Sequence, residues 1–286
     1  MKQSTLIFLV ALVSCRSFTV DYTTRTDRHL QQQLETIDER LRAKYGIAAE
    51  QTDVGLLDLE RPRVAMIHPD HIEYAASVAK VGILFAWFAL HHDVDAQTEH
   101  ELGLMIKASN NEMAAKYSRT MGLAEIQRVL NANGFYDAAH GGGIWVGKHY
   151  GAGGERIGDP VANHSHAVTV RQLLRFYWLL SRGELVSPAA SRKMREIFLS
   201  PDIPHDDHKF VKGLSGRGLT ILRKWGTWED WLHDSAIIEG PGRRYVLVGL
   251  THHPKGDAYL EELAREVDDL MMRPLPARRG EVVGVR

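Results

Sequence analysis

The stretch Tyr74–Leu90, YAASVAKVGILFAWFAL, decides the reading of this chain. From Val81 to Leu90 every residue is apolar, so a helix here is apolar on all faces and belongs inside a protein. The run is too short for a bilayer, which takes about 20 such residues. Ser77 and Lys80 stand at its mouth, three apart and on one helical face. A hydroxyl and an amine in that position cost free energy unless they have partners or a task. The pair is either a nucleophile with its base or a serine cap beside a snorkelling lysine.

Outward from this segment the chain punctuates itself clearly. Upstream, Thr26 is the predicted N-cap of a helix carrying Leu30, Leu34, Ile37 and Leu41, which ends at Gly46. Two strand-like runs, Val54–Leu59 and Arg63–Ile67, flank a hairpin signal at Glu60-Arg61-Pro62. Downstream, the helical pattern from Glu99 to Met121 is interrupted at Ser109-Asn110-Asn111, whose short polar side chains compete for the backbone. Leu123–Asn133 is a further helix stopped by Gly134. Nine of the 25 glycines fall between Gly134 and Gly158, which predicts a folded Ω-like loop over 134–165. Helices follow at Thr169–Ser181 and from Ser187-Pro188 to Leu199. After a polar segment, three strands are predicted at Leu219–Trp225, Asp234–Glu239 and Arg244–Thr251, then a closing helix over Asp257–Met272.

Short hairpins within both strand groups predict one antiparallel five-stranded sheet. Terminal helices cover one face and the mid-chain helices form an all-α lobe, an α+β layering. Residues 26–73 and 215–273 share the sheet part, 74–214 form the helical part, and 274–286 read as a flexible tail.

Composition narrows the function. The 286 residues carry a net charge of −1 and no basic stripe, which argues against nucleic acid as a partner. Neither an HExxH motif nor a Cys-His zinc spacing occurs, so no metal or other cofactor is expected. His205-Asp206-Asp207-His208 is open to reading as metal ligands or as a solvated turn. Thr5–Val13 is an apolar run after Lys2, the pattern of a secretory signal. It ends in Leu12-Val13-Ser14-Cys15, which is similar to a bacterial lipoprotein signal, with ordinary cleavage near Ser14 or Ser17 as the alternative. The first reading predicts a signal over 1–15, lipid on Cys15, a polar tether over 16–25, and a protein held at the periplasmic or cell-surface side of a membrane. The lone cysteine excludes an internal disulfide.

Ser77-Val78-Ala79-Lys80, Ser109-Asn110-Asn111 and Lys224-Trp225-Gly226-Thr227 occur in that order, each on a suitable element. The set resembles the Ser-x-x-Lys, Ser-x-Asn and Lys-Thr-Gly motifs of class A β-lactamases and penicillin-binding proteins. The resemblance implies a β-lactamase-like fold over 26–273, a monomer, and a serine hydrolase working through a Ser77 acyl-enzyme. Lys80 would be the base and Ser109 the proton shuttle to the leaving nitrogen. Asn111, Lys224, Gly226 and Thr227 would bind substrate, with the backbone N–H groups of Ser77 and Thr227 as oxyanion hole. The implied substrate is a β-lactam, or otherwise a cell-wall peptide or related ester; a non-catalytic ligand-binding relative is the third reading. In Asp159-Pro160-Val161-Ala162-Asn163 the resemblance finds a shortened counterpart of Glu-Pro-x-x-Asn, making Asp159 the deacylating carboxylate and Asn163 its partner; a Gly-Asp-Pro turn is the alternative. Glu155 is a second candidate for that carboxylate. Two departures stand out. Trp225 replaces the motif's small hydroxyl residue, and His233-Asp234 occupies the usual place of an anion-binding arginine, for which Arg223 or Arg244 are the possible substitutes.

Overall fold

The computed structural model describes residues 18–91, 94–151 and 153–273. The predicted signal, Cys15 and the tail over 274–286 lie outside them. Segment 18–25, taken from sequence as part of a tether, is docked on the fold. Val20 is buried, Phe18 meets the Trp178 ring edge-on at 5.1 Å, and Arg171 and Gln172 hydrogen-bond to Asp21 and Tyr22. The apolar residues at alternate positions explain why it does not stay in water.

Helix α1 (Arg28–Tyr45) starts at Asp27, whose carboxylate accepts the Leu30 N–H, so the cap is one residue later than predicted. Strands β1 (Thr52–Asp58) and β2 (Arg63–Ile67) form the first hairpin. A two-residue strand β3 (Glu73–Tyr74) then leads to α2 (Lys80–Leu90). Helices α3 (Ala96–Ile106), α4 (Asn111–Met121) and α5 (Leu123–Ala132) build the helical lobe. Four strands of two or three residues follow: β4 (Tyr136–Asp137), β5 (Gly142–Gly143), β6 (Trp145–Val146) and β7 (His166–Val168). Then come α6 (Val170–Arg182), α7 (Pro188–Leu199) and α8 (Lys209–Gly213). The chain closes with β8 (Thr220–Trp228), β9 (Trp231–Gly240), β10 (Arg243–His252) and α9 (Gly256–Met271).

The large sheet is five-stranded and antiparallel, ordered β2-β1-β10-β9-β8, so the two ends of the chain meet at the β1–β10 ladder. One apolar cluster joins α1 and α9 to one face of the sheet. The other face receives α6: a side chain at Gly55 would collide with Val170 and Leu174, and Tyr177 reaches the Ser235 carbonyl. Helix α8 belongs with the sheet layer rather than the helical lobe, because Phe210 is in the sheet-side core and Gly213 lies against the Glu261 backbone.

Helix α2 lies at the centre of the second core, with Val81–Ala86 and Phe88 all buried. Gly82 permits the close approach of β6, since a Cβ there would meet Ile144 at 2.9 Å. Burying so apolar a helix stabilises the lobe by about 2 kcal/mol per large side chain. It also fixes the residues at its N-terminus, which is the end that matters for chemistry.

Candidate active site

Ser77 sits in a turn ahead of α2 whose hydrogen bonds run to the third residue back, from Lys80 N–H to Ser77 O and from Val81 N–H to Val78 O. The turn is pinned from both sides. Ala75 N–H donates to His166 O, and Tyr150 Oη donates to Ala76 O at 2.8 Å. Ala76 has φ 45°, an uncommon conformation for a residue with a Cβ, and those two bonds hold it there. Edge strand β8 passes directly over the turn. A Cβ at Gly226 would lie 2.9 Å from Ala75 O and 3.0 Å from Ser77 N, so only glycine lets the two backbones approach this closely. Gly226 thus brings Thr227 beside Ser77, and both residues line one cleft of about 470 Å³.

Lys80 is fully buried. Its Nζ donates to Ser109 O at 2.6 Å and Asn111 Oδ1 at 2.7 Å, lies 3.3 Å from Ser109 Oγ, and stands 4.5 Å from the Tyr150 ring centroid. Burial lowers its pKa to about 7. A neutral amine keeps two donors for Ser109 O and Asn111 and gains a lone pair. Ser109 is held at φ 55° in the α3–α4 break, where Asn110 caps α4 through the Met113 N–H. Lys224, also fully buried, donates to Ser109 Oγ at 2.9 Å and to Trp225 O. Its pKa lies well below the usual lysine range, through burial first and then repulsion from Lys80 and Arg223. Ser109 Oγ is therefore the shared atom between two amines pressed toward neutrality, Lys80 by burial and Lys224 by burial and by its cationic neighbours.

Asp159 and Asn163 are held within the loop by hydrogen bonds of their own. The Asp159 carboxylate is buried and accepts the N–H groups of Val161, Ala162 and His164, with the Tyr136 hydroxyl at 3.4 Å. Asn163 has φ 58°, and its Oδ1 accepts from Arg156. The two residues close a turn inside the loop and are not among the residues lining the cleft, the arrangement that the turn reading describes. Glu155 is exposed and also absent from the lining. What the loop brings to the cleft is Lys148, His149, Tyr150, Ser165 and His166. Burial lowers the pKa of His166 to about 4. The ring is neutral, its Nε2–H donates to Lys148 O at 2.9 Å, and Nδ1 is left as an acceptor toward Ser165 Oγ. Among the described residues lining the cleft, none is an aspartate or glutamate.

The anion-binding substitutes are also resolved. Arg223 is fully buried and bound by Asp234, with Nη2 at 2.7 Å, and Arg244 pairs with Glu239. Neither side chain is free for a ligand. Lys209, which the sequence did not single out, is the cation nearest to Thr227: its Nζ donates to Thr227 Oγ1 at 2.6 Å and Gly226 O at 2.8 Å. Burial lowers its pKa to about 8, with Asp257 opposing the shift. Trp225 lies between the Lys224 and Lys209 ammonium groups, at 4.9 and 5.5 Å, and packs its edge on His208. His205 and His208 make no metal cluster. Nε2 of His205 meets Ile221 O, and His208 reaches Asp206 only at 3.8 Å.

No curated protein sequence matches the chain. Among solved structures it is similar to a β-lactamase from Sphaerobacter thermophilus DSM 20745, at TM-score 0.66 and 14% identity, over 86% of this chain and 98% of that one. It is similar to PBP-A at TM-score 0.62 and 17% identity, over 84% and 96%. A mutant of PBP-A solved as its penicillin G acyl-enzyme aligns at TM-score 0.63 and 16% identity, over the same shares. At these identities the likeness establishes the fold. The model of the Beta-lactamase enzyme family matches residues 89–271, a span that begins after Lys80 and so is independent of the Ser-x-x-Lys motif. With the α+β architecture described above, the chain belongs to the Beta-lactamase enzyme family.

Proposed function

We propose that this protein is a serine hydrolase that forms an acyl-enzyme on Ser77 with β-lactam amides or related cell-wall peptides. The observation that carries the reading is Lys80: a fully buried amine with a pKa near 7, anchored by Ser109 and Asn111 one turn from a cleft serine. As the neutral amine it takes the Ser77 hydroxyl proton while Oγ attacks the substrate carbonyl. The carbonyl oxygen then carries the negative charge, toward which the Ser77 and Thr227 N–H groups supply donors worth roughly 3 kcal/mol each. Ser109, polarised by Lys224, passes a proton to the departing nitrogen, and its own proton is replaced from Lys80. Lys209 steadies Thr227.

A second reading concerns the later step. The lack of an acidic side chain among the described cleft residues favours slow deacylation, the behaviour of a peptidase or binding protein rather than a fast β-lactamase. Water activation would fall to neutral groups such as His166. The experiment is a time course of intact mass after mixing with a penicillin. A stoichiometric adduct lasting minutes or longer supports the slow reading, rapid loss of adduct with continued turnover supports β-lactam hydrolysis, and no adduct at any time removes the acyl-enzyme proposal. Export and lipid attachment at Cys15 remain part of the proposal, supported by Leu12-Val13-Ser14-Cys15. Cys15→Ser is expected to release the protein from the membrane fraction; unchanged membrane association would count against the lipid.

A further inference from the structure

The structure brings Asp53 of the first hairpin together with His71 and Glu73, two potential ligands from the segment that leads to the cleft residue Tyr74. Asp53 of β1, His71 and Glu73 of β3 each present one ligand atom, all within 4.8 Å of one another. Asp53 is 2% exposed and Glu73 8%. Oδ1 of Asp53 is buried and has no hydrogen-bond partner among the described residues, while Oδ2 faces His71 Nδ1 at 2.9 Å. Glu73 uses only Oε1, which accepts from Trp231 Nε1 and from Tyr74 N–H. His68 stands at the rim, its Nδ1 donating to Thr52 O at 2.9 Å and lying 3.3 Å from Asp53 Oδ1. Two buried carboxylates side by side repel each other, and a bound cation relieves that repulsion, as a proton or a charged His71 also would.

We propose that Asp53, His71 and Glu73 form a binding site for a divalent transition-metal ion, zinc foremost, with solvent completing its coordination. The donor set decides the class of ion. Imidazole nitrogens mixed with carboxylates suit zinc and its neighbours, whereas calcium and magnesium take oxygen ligands. Tetrahedral zinc with bonds of about 2.0–2.2 Å sets its ligand atoms about 3.4 Å apart, so the widest separation of up to 4.8 Å closes by up to about 1.4 Å while the 2.9 Å Asp53–His71 contact opens by about 0.5 Å. The two carboxylates also balance the ion's charge. Half-exposed His68 and His71 leave a path in from solvent. The sequence reading passed over this set because its third member, Asp53, meets His71 and Glu73 only when β1 and the segment before β3 fold together.

The ion would tie β1 to the strand that delivers Tyr74 and, three residues later, Ser77. It takes no part in the acyl-transfer chemistry, so its test is independent of that proposal. The full chain, without a histidine tag and stripped with chelator, is titrated with zinc chloride by calorimetry and with cobalt(II) by visible absorption. The expected result is one ion per chain, ligand-field bands for cobalt, and a melting temperature that rises with zinc. His71→Ala alters an exposed side chain and Asp53→Asn a buried one; each is expected to weaken zinc binding at least about tenfold. Should Asp53→Asn fail to fold, the doubly substituted His68→Ala/His71→Ala protein replaces it. The proposal is overturned if the unmodified chain shows no stoichiometric zinc binding, in which case protonated histidines balance the carboxylates. It is equally overturned if the variants bind zinc as tightly as the parent, since the ion then sits on other histidines of the 15.

Discussion

Lys80 and Asp159 are both buried polar groups supplied by segments next to the cleft, and the chain treats them in opposite ways. Asp159 is saturated: three N–H groups and a hydroxyl approach its two oxygens, leaving little lone-pair capacity for a water. Lys80 has three acceptors around it, yet burial brings its pKa to about 7, so near neutrality it loses a proton and holds a free lone pair. A buried group that only shapes the backbone is paid in full by its partners, while one with chemistry to do is left short. That contrast separates the two halves of the Ser-x-x-Lys and Asp-Pro-x-x-Asn patterns, which look equally suggestive as letters.

The contrast breaks most visibly at Ser77. Ser77→Ala removes one oxygen from a turn held by backbone bonds, so the fold and melting temperature are expected to persist. Acylation by a fluorescent penicillin should vanish, a loss of about 10³-fold or more. A labelled variant would show that the nucleophile is elsewhere.

Gly226→Ala tests the approach of β8 to the same turn. The added methyl meets two backbone atoms, Ala75 O and Ser77 N, and neither can swing aside. The strands must part by some tenths of an ångström, which displaces Thr227 from Ser77. A misplacement approaching 1 Å costs about 100-fold, so labelling should slow by about 10- to 100-fold while the protein remains folded. Labelling at the parental rate would mean that the Ser77–Thr227 pairing contributes nothing.

The pH dependence sharpens the role of Lys80. Its pKa is lowered, and the active form of a base is the deprotonated one. Acylation should therefore be near its plateau above pH 7 and fall about tenfold per unit below it. Stopped-flow acylation from pH 5 to 9 is the measurement. A flat profile through pH 7 would remove Lys80 as the titrating base.

How much of this was legible beforehand follows from where the information lies along the chain. The Val81–Leu90 run and the two strand groups carry strong, local periodicity, and the five-stranded sheet and buried helix emerge from them directly. The break at Ser109 was legible because polar residues competing for the backbone announce a helix end. The small sheet of β3, β7 and β6 was not, since strands of two or three residues have no period to read. Lys209 carries no local signal either; it matters only because α8 folds back onto the end of β8. The same holds for Asp53, which meets the neighbouring pair His71 and Glu73 only because β1 of the large sheet packs beside the segment leading into β3 of the small one. Gly-Asp-Pro fitted two readings, and only the hydrogen bonds around Asp159 separate them.

The smallest effect is expected at Asp159, and it is on stability. In Asp159→Asn one carboxylate oxygen becomes an NH₂ group. If the remaining oxygen keeps Val161 and Ala162, the new donor faces the His164 N–H, and two donors cannot bond each other. Leaving one buried donor unsatisfied costs about 1–3 kcal/mol. For a domain of this size each kcal/mol lowers the melting temperature by about 2–4 °C. The turn still forms, so Tyr150 and His166 keep their places beside Ser77, and acylation and deacylation should keep their ratio. Thermal melting beside intact-mass kinetics decides the point. Accumulation of acyl-enzyme in the variant, with an unchanged melting temperature, would restore Asp159 as the deacylating base and reverse the comparison with Lys80.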